Sequence, residues 1–128
     1  MSIRSPDINA DYLQIRNIEM VSGDTFGLTV RLKIDGTPNI LTESGKVTFA
    51  IFGTRKEPVL AVDYDSQAQT QDGYVYIYLT PSQTAQLKAN GKYTYELEWY
   101  INENTIYTLL KGDVKIVVDK ITDSVRGD

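Results

Sequence analysis

Nine consecutive residues constrain the architecture more than any others. Across Phe26–Ile34 the chain alternates without a break: Phe26, Leu28, Val30, Leu32 and Ile34 fall on one side, and Gly27, Thr29, Arg31 and Lys33 on the other. Wound into a helix, the five apolar residues would scatter around its circumference. In a strand they line one face, which has to be buried against a second layer. The rest of the chain supplies that layer. Val47, Phe49 and Ile51 form another inward set, and residues 59–64 form a strand entered through Pro58. Proline donates nothing to a ladder, so that strand is expected at a sheet edge. Tyr74–Leu79 follows an Asp72-Gly73 turn, with Val75, Ile77 and Leu79 inward. Residues 92–101 and 105–119 form a hairpin with its tip at 102–104, the second arm being one long strand or two interrupted near Gly112. Residues 13–20 read as a strand with a slip in register, because Leu13 and Ile15 alternate and then Asn17 breaks the pattern before Ile18 and Met20. Such a break suggests a bulge.

Seven to eight short strands separated by turn signals are the pattern of an antiparallel sandwich or barrel. One helical stretch interrupts them. Thr80 is placed as N-cap, Pro81 at the first helical position and Gln83 at the third, completing a capping box. The helix is expected to run to about Ala89 and to end in a left-handed turn at Asn90-Gly91. It is too short to fold alone and reads as a connector. Gly23, Gly36, Gly45, Gly73 and Gly91 each stand singly at a turn, where access to positive φ explains them, and none belongs to a phosphate-binding loop.

Composition then removes whole chemistries. Among 128 residues there is no histidine and no cysteine. That excludes a Ser-His-Asp triad, an imidazole base, a thiol nucleophile, a zinc knuckle and a disulfide. The formal charge of −4 gives no general attraction for nucleic acid or anionic lipid. No window is long and apolar enough for a membrane helix, and residues 1–12 lack the apolar stretch of a secretory signal. The chain is therefore expected to be made in a cytoplasm and to leave it only as part of an assembly. Neither a cofactor nor a metal is expected. The remaining nucleophiles show no organising constellation, so an enzyme is not expected either.

Around residue 90 the sequence becomes more specific. A helical turn followed by Gly91-Lys92-Tyr93-Thr94-Tyr95 resembles the tyrosine corner of immunoglobulin-like domains. That resemblance implies that the Tyr93 phenol bonds back to the backbone of the preceding turn and pins the crossover. Tyr95 then stands where an antibody domain has its second cysteine, so apolar packing replaces the disulfide, and Trp99 lies on this late strand instead of the third. A longer ordered set is similar to the small immunoglobulin-like modules of tailed bacteriophages, in particular the amino-terminal domain of baseplate upper proteins. It comprises Gly23-Asp24-Thr25, the alternating strand ending in Asp35-Gly36-x-Pro38, Leu41-Thr42, the Val47-x-Phe49 strand, and Asp72-Gly73 with its strand to Leu79-Thr80. It continues through Gln83-Thr84-Ala85-x-Leu87, Gly91-x-Tyr93-x-Tyr95-Glu96-Leu97 and Tyr107-Thr108-Leu109-Leu110-x-Gly112-x-Val114. The similarity spans roughly residues 18–120.

The resulting expectation is an all-β protein, a single immunoglobulin-like antiparallel β-sandwich over residues 1–128. Its core spans about 12–120, and 1–11 and 121–128 serve as flexible or docking arms. Its inner faces comprise Phe26, Leu28, Val30, Leu32, Val47, Phe49, Ile51, Val75, Ile77, Leu79, Tyr95, Leu97, Trp99, Leu109, Val114 and Ile116. The resemblance implies a structural virion part without catalytic residues, assembled in the host cytoplasm and docking on other virion proteins or on copies of itself. A capsid decoration or head-fibre protein and a carbohydrate- or receptor-binding module are the rival readings.

The candidate contact residues are Tyr74, Tyr76 and Tyr78, expected to face outward on one strand, with Tyr100 outward on a later one. Tyrosine also suits strands for its own sake. Three in a row on one face, however, supply large contact area with few rotatable bonds. Two carboxylate pairs, Asp63/Asp65 and Glu96/Glu98, lie two apart on strand faces. Glycosidase chemistry would need a pocket to raise one of each pair, and acids on an exposed strand are ordinarily solvated or paired. Asp63-x-Asp65 also fails as a calcium loop, with Ala68 where glycine is needed and Tyr74 where glutamate is needed. The terminal Arg126-Gly127-Asp128 reads as part of a polar tail.

Overall fold

The computed structural model describes residues 8–9, 13–34, 37–38, 45–65, 73–89 and 91–118. In chain order these form β1 (Ile8–Asn9), β2 (Gln14–Ile15), β3 (Ile18–Ser22), β4 (Phe26–Ile34), β5 (Thr37–Pro38), β6 (Lys46–Phe52), β7 (Pro58–Tyr64), β8 (Tyr74–Leu79), the single helical turn α1 (Pro81–Thr84), β9 (Tyr93–Asn102) and β10 (Thr105–Val118). The architecture is an immunoglobulin-like β-sandwich with one short connecting helix. In the smaller sheet β4 pairs with β8 over Phe26–Arg31, while β1 and β5 join β4 near Leu32, Lys33 and Ile34. The larger sheet runs β10-β9-β6-β7, with β2 and β3 in succession along the outer side of β10.

All sixteen expected inward residues are buried. Each apolar strand face covers the other, which at about 25 cal/mol per Å² of buried apolar surface is the main term holding such a fold together. Aromatic rings tie the two layers at the centre. Phe26 of β4 stacks on Phe49 of β6 with ring centroids 6.2 Å apart, and Phe49 meets Tyr95 of β9 at 5.6 Å. Met20, Tyr64, Leu87 and Leu110 complete the core.

Several expectations need correction. The described residues hold ten strands, seven of them five residues or longer and three of only two residues. The sheets are not purely antiparallel, because β1 runs parallel to β4, and β2 and β3 run parallel to β10. Parallel pairing follows from the amino-terminal segment lying beside one sheet and then the other along strands of its own direction. Nor does this segment slip in register. Ile15 pairs with Lys111 and Ile18 with Val114, three residues on along both strands. Its inward residues are Ile18 and Met20, whereas Leu13 and Ile15 face solvent, 39% and 71% exposed. The apparent slip came from counting two outward apolar residues as inward.

β10 is continuous through Gly112, and its irregularity lies between Thr108 and Leu110, which lets Leu109 and Leu110 both turn inward. The helix stops at Thr84 instead of Ala89. Its capping box is formed as expected, with the Gln83 N–H donating to Thr80 Oγ1 at 3.2 Å and the Thr80 N–H donating to Gln83 Oε1 at 2.8 Å. Among the described glycines only Gly23 and Gly73 have positive φ. Gly91 is explained differently: a Cβ there would stand 2.5 Å from the Tyr93 ring, which lies against it. Asp35-Gly36, the Leu41-Thr42 pair, the Glu43 side of the turn before β6, Asp72, Asn90, most of the 1–11 arm, the 121–128 arm and the side chain of Ile34 lie outside the described residues.

Candidate functional site

The alternation of β8 decides where its tyrosines go. Val75, Ile77 and Leu79 are buried, so Tyr74, Tyr76 and Tyr78 project from the outer face of the smaller sheet. Tyr76 and Tyr78 are each 41% exposed, with ring centroids 5.9 Å apart. Across the ladder, Tyr78 stands opposite Gly27 and Tyr76 opposite Thr29. A Cβ on Gly27 would meet the Tyr76 hydroxyl at 2.5 Å and the ring carbon Cε1 at 3.0 Å. The hydroxyl end of the Tyr76 ring therefore reaches over the bare backbone of β4 at Gly27, while the side chain stays 41% exposed. Tyr74 is half-buried beneath the Arg31 guanidinium, whose carbon is 4.9 Å from the ring centroid. Together these residues make an aromatic strip with a cation at one end.

Tyr100 does not join that strip. It lies on β9 in the larger sheet, facing out with Thr94, Glu96 and Glu98, between Lys46 of β6 and Ile106 of β10. The two outer faces of a sandwich point in opposite directions, so the four candidate tyrosines form two separate surfaces.

Three other tyrosines aim their hydroxyls at backbone. Tyr93 accepts a hydrogen bond from the Lys88 N–H at 3.0 Å, closing the turn after α1. Tyr95, fully buried, donates to the Arg16 carbonyl at 2.6 Å. Burial pushes the Tyr95 phenol up to about 12, opposed by the nearby Arg16 charge. Around it Arg16 and Asn17 leave the β2–β3 line while staying attached to β10. The Arg16 N–H donates to the Lys111 carbonyl at 2.9 Å, and the Asp113 N–H donates to Asn17 Oδ1 at 3.0 Å. Tyr95 thus supplies a polar anchor as well as apolar packing. Tyr64, at the end of β7, reaches across to the other sheet. It donates to the Tyr78 carbonyl at 2.7 Å and accepts from the Tyr78 N–H at 3.0 Å. Its phenol is raised by desolvation, partly offset by the Tyr78 backbone bond.

Sequence reasoning missed Tyr64 and Thr84. Thr84 is fully buried, donates from Oγ1 to the Asp24 carbonyl at 2.6 Å and accepts from the Gly23 N–H at 3.1 Å. It fastens α1 to the β3–β4 turn. Its sequence signal was a threonine just inside a capped turn, which says nothing of a partner sixty residues away.

The carboxylates are placed as ordinary surface groups. Glu96 faces Ala50 and Lys111, Glu98 faces Thr48 and Thr108, and Asp63 bonds the Thr48 hydroxyl at 2.6 Å and the Lys46 ammonium at 3.4 Å. Among the described residues no three histidine, cysteine or acidic side chains gather as a metal ion would require. The concavities are shallow. Two adjoin at one end of the sandwich, about 460 and 530 Å³, sharing Gly53, Thr54, Gly91, Lys92 and Tyr93. Their linings include Arg55, Lys92 and Lys115 together with Glu57 and Asp113. No described helix is long and apolar enough to cross a membrane. No protein-family model matches the chain, and no curated protein matches it either.

Proposed function

We infer that this chain is a non-catalytic structural module of a tailed-phage particle that docks on neighbouring tail or baseplate proteins. The outer tyrosine strip is its contact surface. The observation that carries the reading is the exposed pair Tyr76 and Tyr78, lying against β4 beside Gly27 without adding to the core. Aromatic area of this kind is held in place before a partner arrives, so docking costs little side-chain entropy. The virion setting rests on the resemblance carried by the ordered motifs from Gly23 to Val114. Repeated copies in a symmetric particle let modest single contacts sum to firm assembly.

Particles released from the lysed source culture, labelled with an antibody to this chain, provide the test. Label on the tail supports the assignment. Label on the head moves the module to the capsid shell, and absence of label from every particle refutes the virion reading. Tyr76→Ala should then weaken docking on the neighbouring tail protein by roughly thirty-fold or more, the scale of an interface hot spot. The thermal midpoint should fall by no more than a few degrees. Saturable binding to one glycan family, lost with the same substitution, would replace the docking reading by a carbohydrate-binding one.

A further inference from the structure

We propose that the concave end of the sandwich beside Tyr93 binds a small molecule carrying one oxyanion group, a carboxylate or a phosphate, held by Arg55, Lys92 and the Tyr93 hydroxyl. Missing side chains open the site. The Tyr93 ring stands between two glycines: a Cβ on Gly91 would meet ring carbon Cε2 at 2.5 Å, and one on Gly53 would come within 4.0 Å of Cε1 on the opposite edge. Both glycines line both concavities, and so does the ring between them. At about 460 and 530 Å³, each concavity has the size of a small-molecule site. The residues come from the β6–β7 turn and from β9 and its approach, all in the larger sheet, so this site is separate from the tyrosine strip.

The polar groups gathered there are uncommitted. The Tyr93 oxygen accepts from the Lys88 N–H, and no described residue accepts the proton of its hydroxyl. Arg55 and Lys92 are exposed and form no ion pair with any described residue, although Glu57 shares the first concavity with them. By contrast, Lys46 is paired with Asp63, and Lys115 leans towards Glu19 at 3.9 Å. An unpaired cation engages an anion without first breaking a bond inside the protein. The guanidinium of Arg55 offers a fork that matches carboxylate and phosphate oxygens, and Lys92 adds a compact charge beside it. Glu57 and Asp113, which line the first and second concavities, limit the charge that fits. One oxyanion meets two cations and a phenol, whereas a polyanion would also meet both acids and the net charge of −4. That argues for a small ligand and against nucleic acid.

Amide chemical shifts of the parent, titrated with sodium phosphate and separately with sodium acetate against sodium chloride of matched ionic strength, test the site. At least one of the two anions should move the Gly53, Thr54, Gly91 and Lys92 amides saturably, with a Kd on the order of 1 mM. The tighter of the two identifies the group. Arg55→Gln and Lys92→Gln change exposed side chains that hold nothing else in place, and each should weaken that binding by about fivefold or more. Lys46→Gln, at the opposite end of β6, should leave it unchanged. Three results would each overturn the proposal: shifts with both anions no larger than those with chloride, a Kd that neither Arg55→Gln nor Lys92→Gln alters, or a loss of binding in Lys46→Gln as large as theirs.

Discussion

Gly112→Ala should be among the most damaging single-methyl additions this fold can receive. A Cβ at Gly112 would stand 2.7 Å from the Arg16 carbonyl carbon, nearer still to its oxygen, and 3.0 Å from Asn17 Oδ1, against 3.4–4 Å for ordinary contact. The obstacle is backbone, which has no rotamer to change, so the Arg16–Asn17 segment must retreat by more than half an ångström. Three hydrogen bonds depend on its place: the Tyr95 hydroxyl to the Arg16 carbonyl, the Arg16 N–H to Lys111, and the Asp113 N–H to Asn17. At about 1 kcal/mol each, with more for leaving the buried Tyr95 hydroxyl unpaired, the loss is about 3–5 kcal/mol. Typical domain stability is roughly 5–15 kcal/mol. Urea unfolding should show that loss directly, and the thermal midpoint should drop by roughly 10–20 °C. Gly53→Ala is the control, since its Cβ would meet only Val59 at 3.4 Å and Tyr93 at 4.0 Å. Its stability should stay within about 1 kcal/mol of the parent, in either direction. A Gly112→Ala variant as stable as Gly53→Ala would refute the claim that the interrupted strand is seated on that glycine.

Two further outcomes follow from the polar anchors. Tyr95 is neutral when buried and its phenol lies near 12, above the usual 10; its contribution is therefore complete below pH 10 and declines between pH 10 and 12, on the order of 1 kcal/mol per pH unit. Alkaline denaturation followed by fluorescence should show that decline in the parent and a flatter curve in Tyr95→Phe, and equal slopes would count against the assignment. Thr84→Val strands the Asp24 carbonyl and the Gly23 N–H and should cost about 1–3 kcal/mol in urea titration, whereas Thr80→Ala, which removes only a cap, should cost about 1 kcal/mol.

The period-two rule located the long strands and every one of the sixteen inward residues, because a sheet with one buried face cannot tolerate an error of parity. Its failures have the same origin. Leu13 and Ile15 are apolar and exposed, and a rule that equates apolar with inward must report them as a slip. Leu109 and Leu110 are both inward, because an irregularity beside Thr108 breaks the alternation that the rule assumes. Parallel pairing of β2 and β3 with β10 joins residues about a hundred positions apart, and nothing local encodes it. Capping was legible in full, since Thr80, Pro81 and Gln83 act on one another within a single turn. The extent of the helix was not, because Leu87 is held by the core and needs no helical turn to reach it.

The candidate surface was legible only in part, for a reason the tyrosines make plain. Strand parity states which face a ring occupies, and it placed Tyr74, Tyr76 and Tyr78 correctly on the outside of β8. It does not state which sheet a strand joins, and Tyr100, outward on its later strand, lies on the opposite layer. Nor does it state where a hydroxyl ends. Tyr64, Tyr93 and Tyr95 send theirs to the backbone at Tyr78, Lys88 and Arg16, each closing a gap that main-chain pairing leaves open. Removing one of those three should register first as lost stability, with any change in association following from it. Tyr76 and Tyr78 are the described tyrosines most exposed to solvent, and removing either should register mainly in what the molecule binds. The proposed docking surface is thus defined by subtraction: it is the aromatic area left over once the fold has used the tyrosines it needs to hold its own edges and turns.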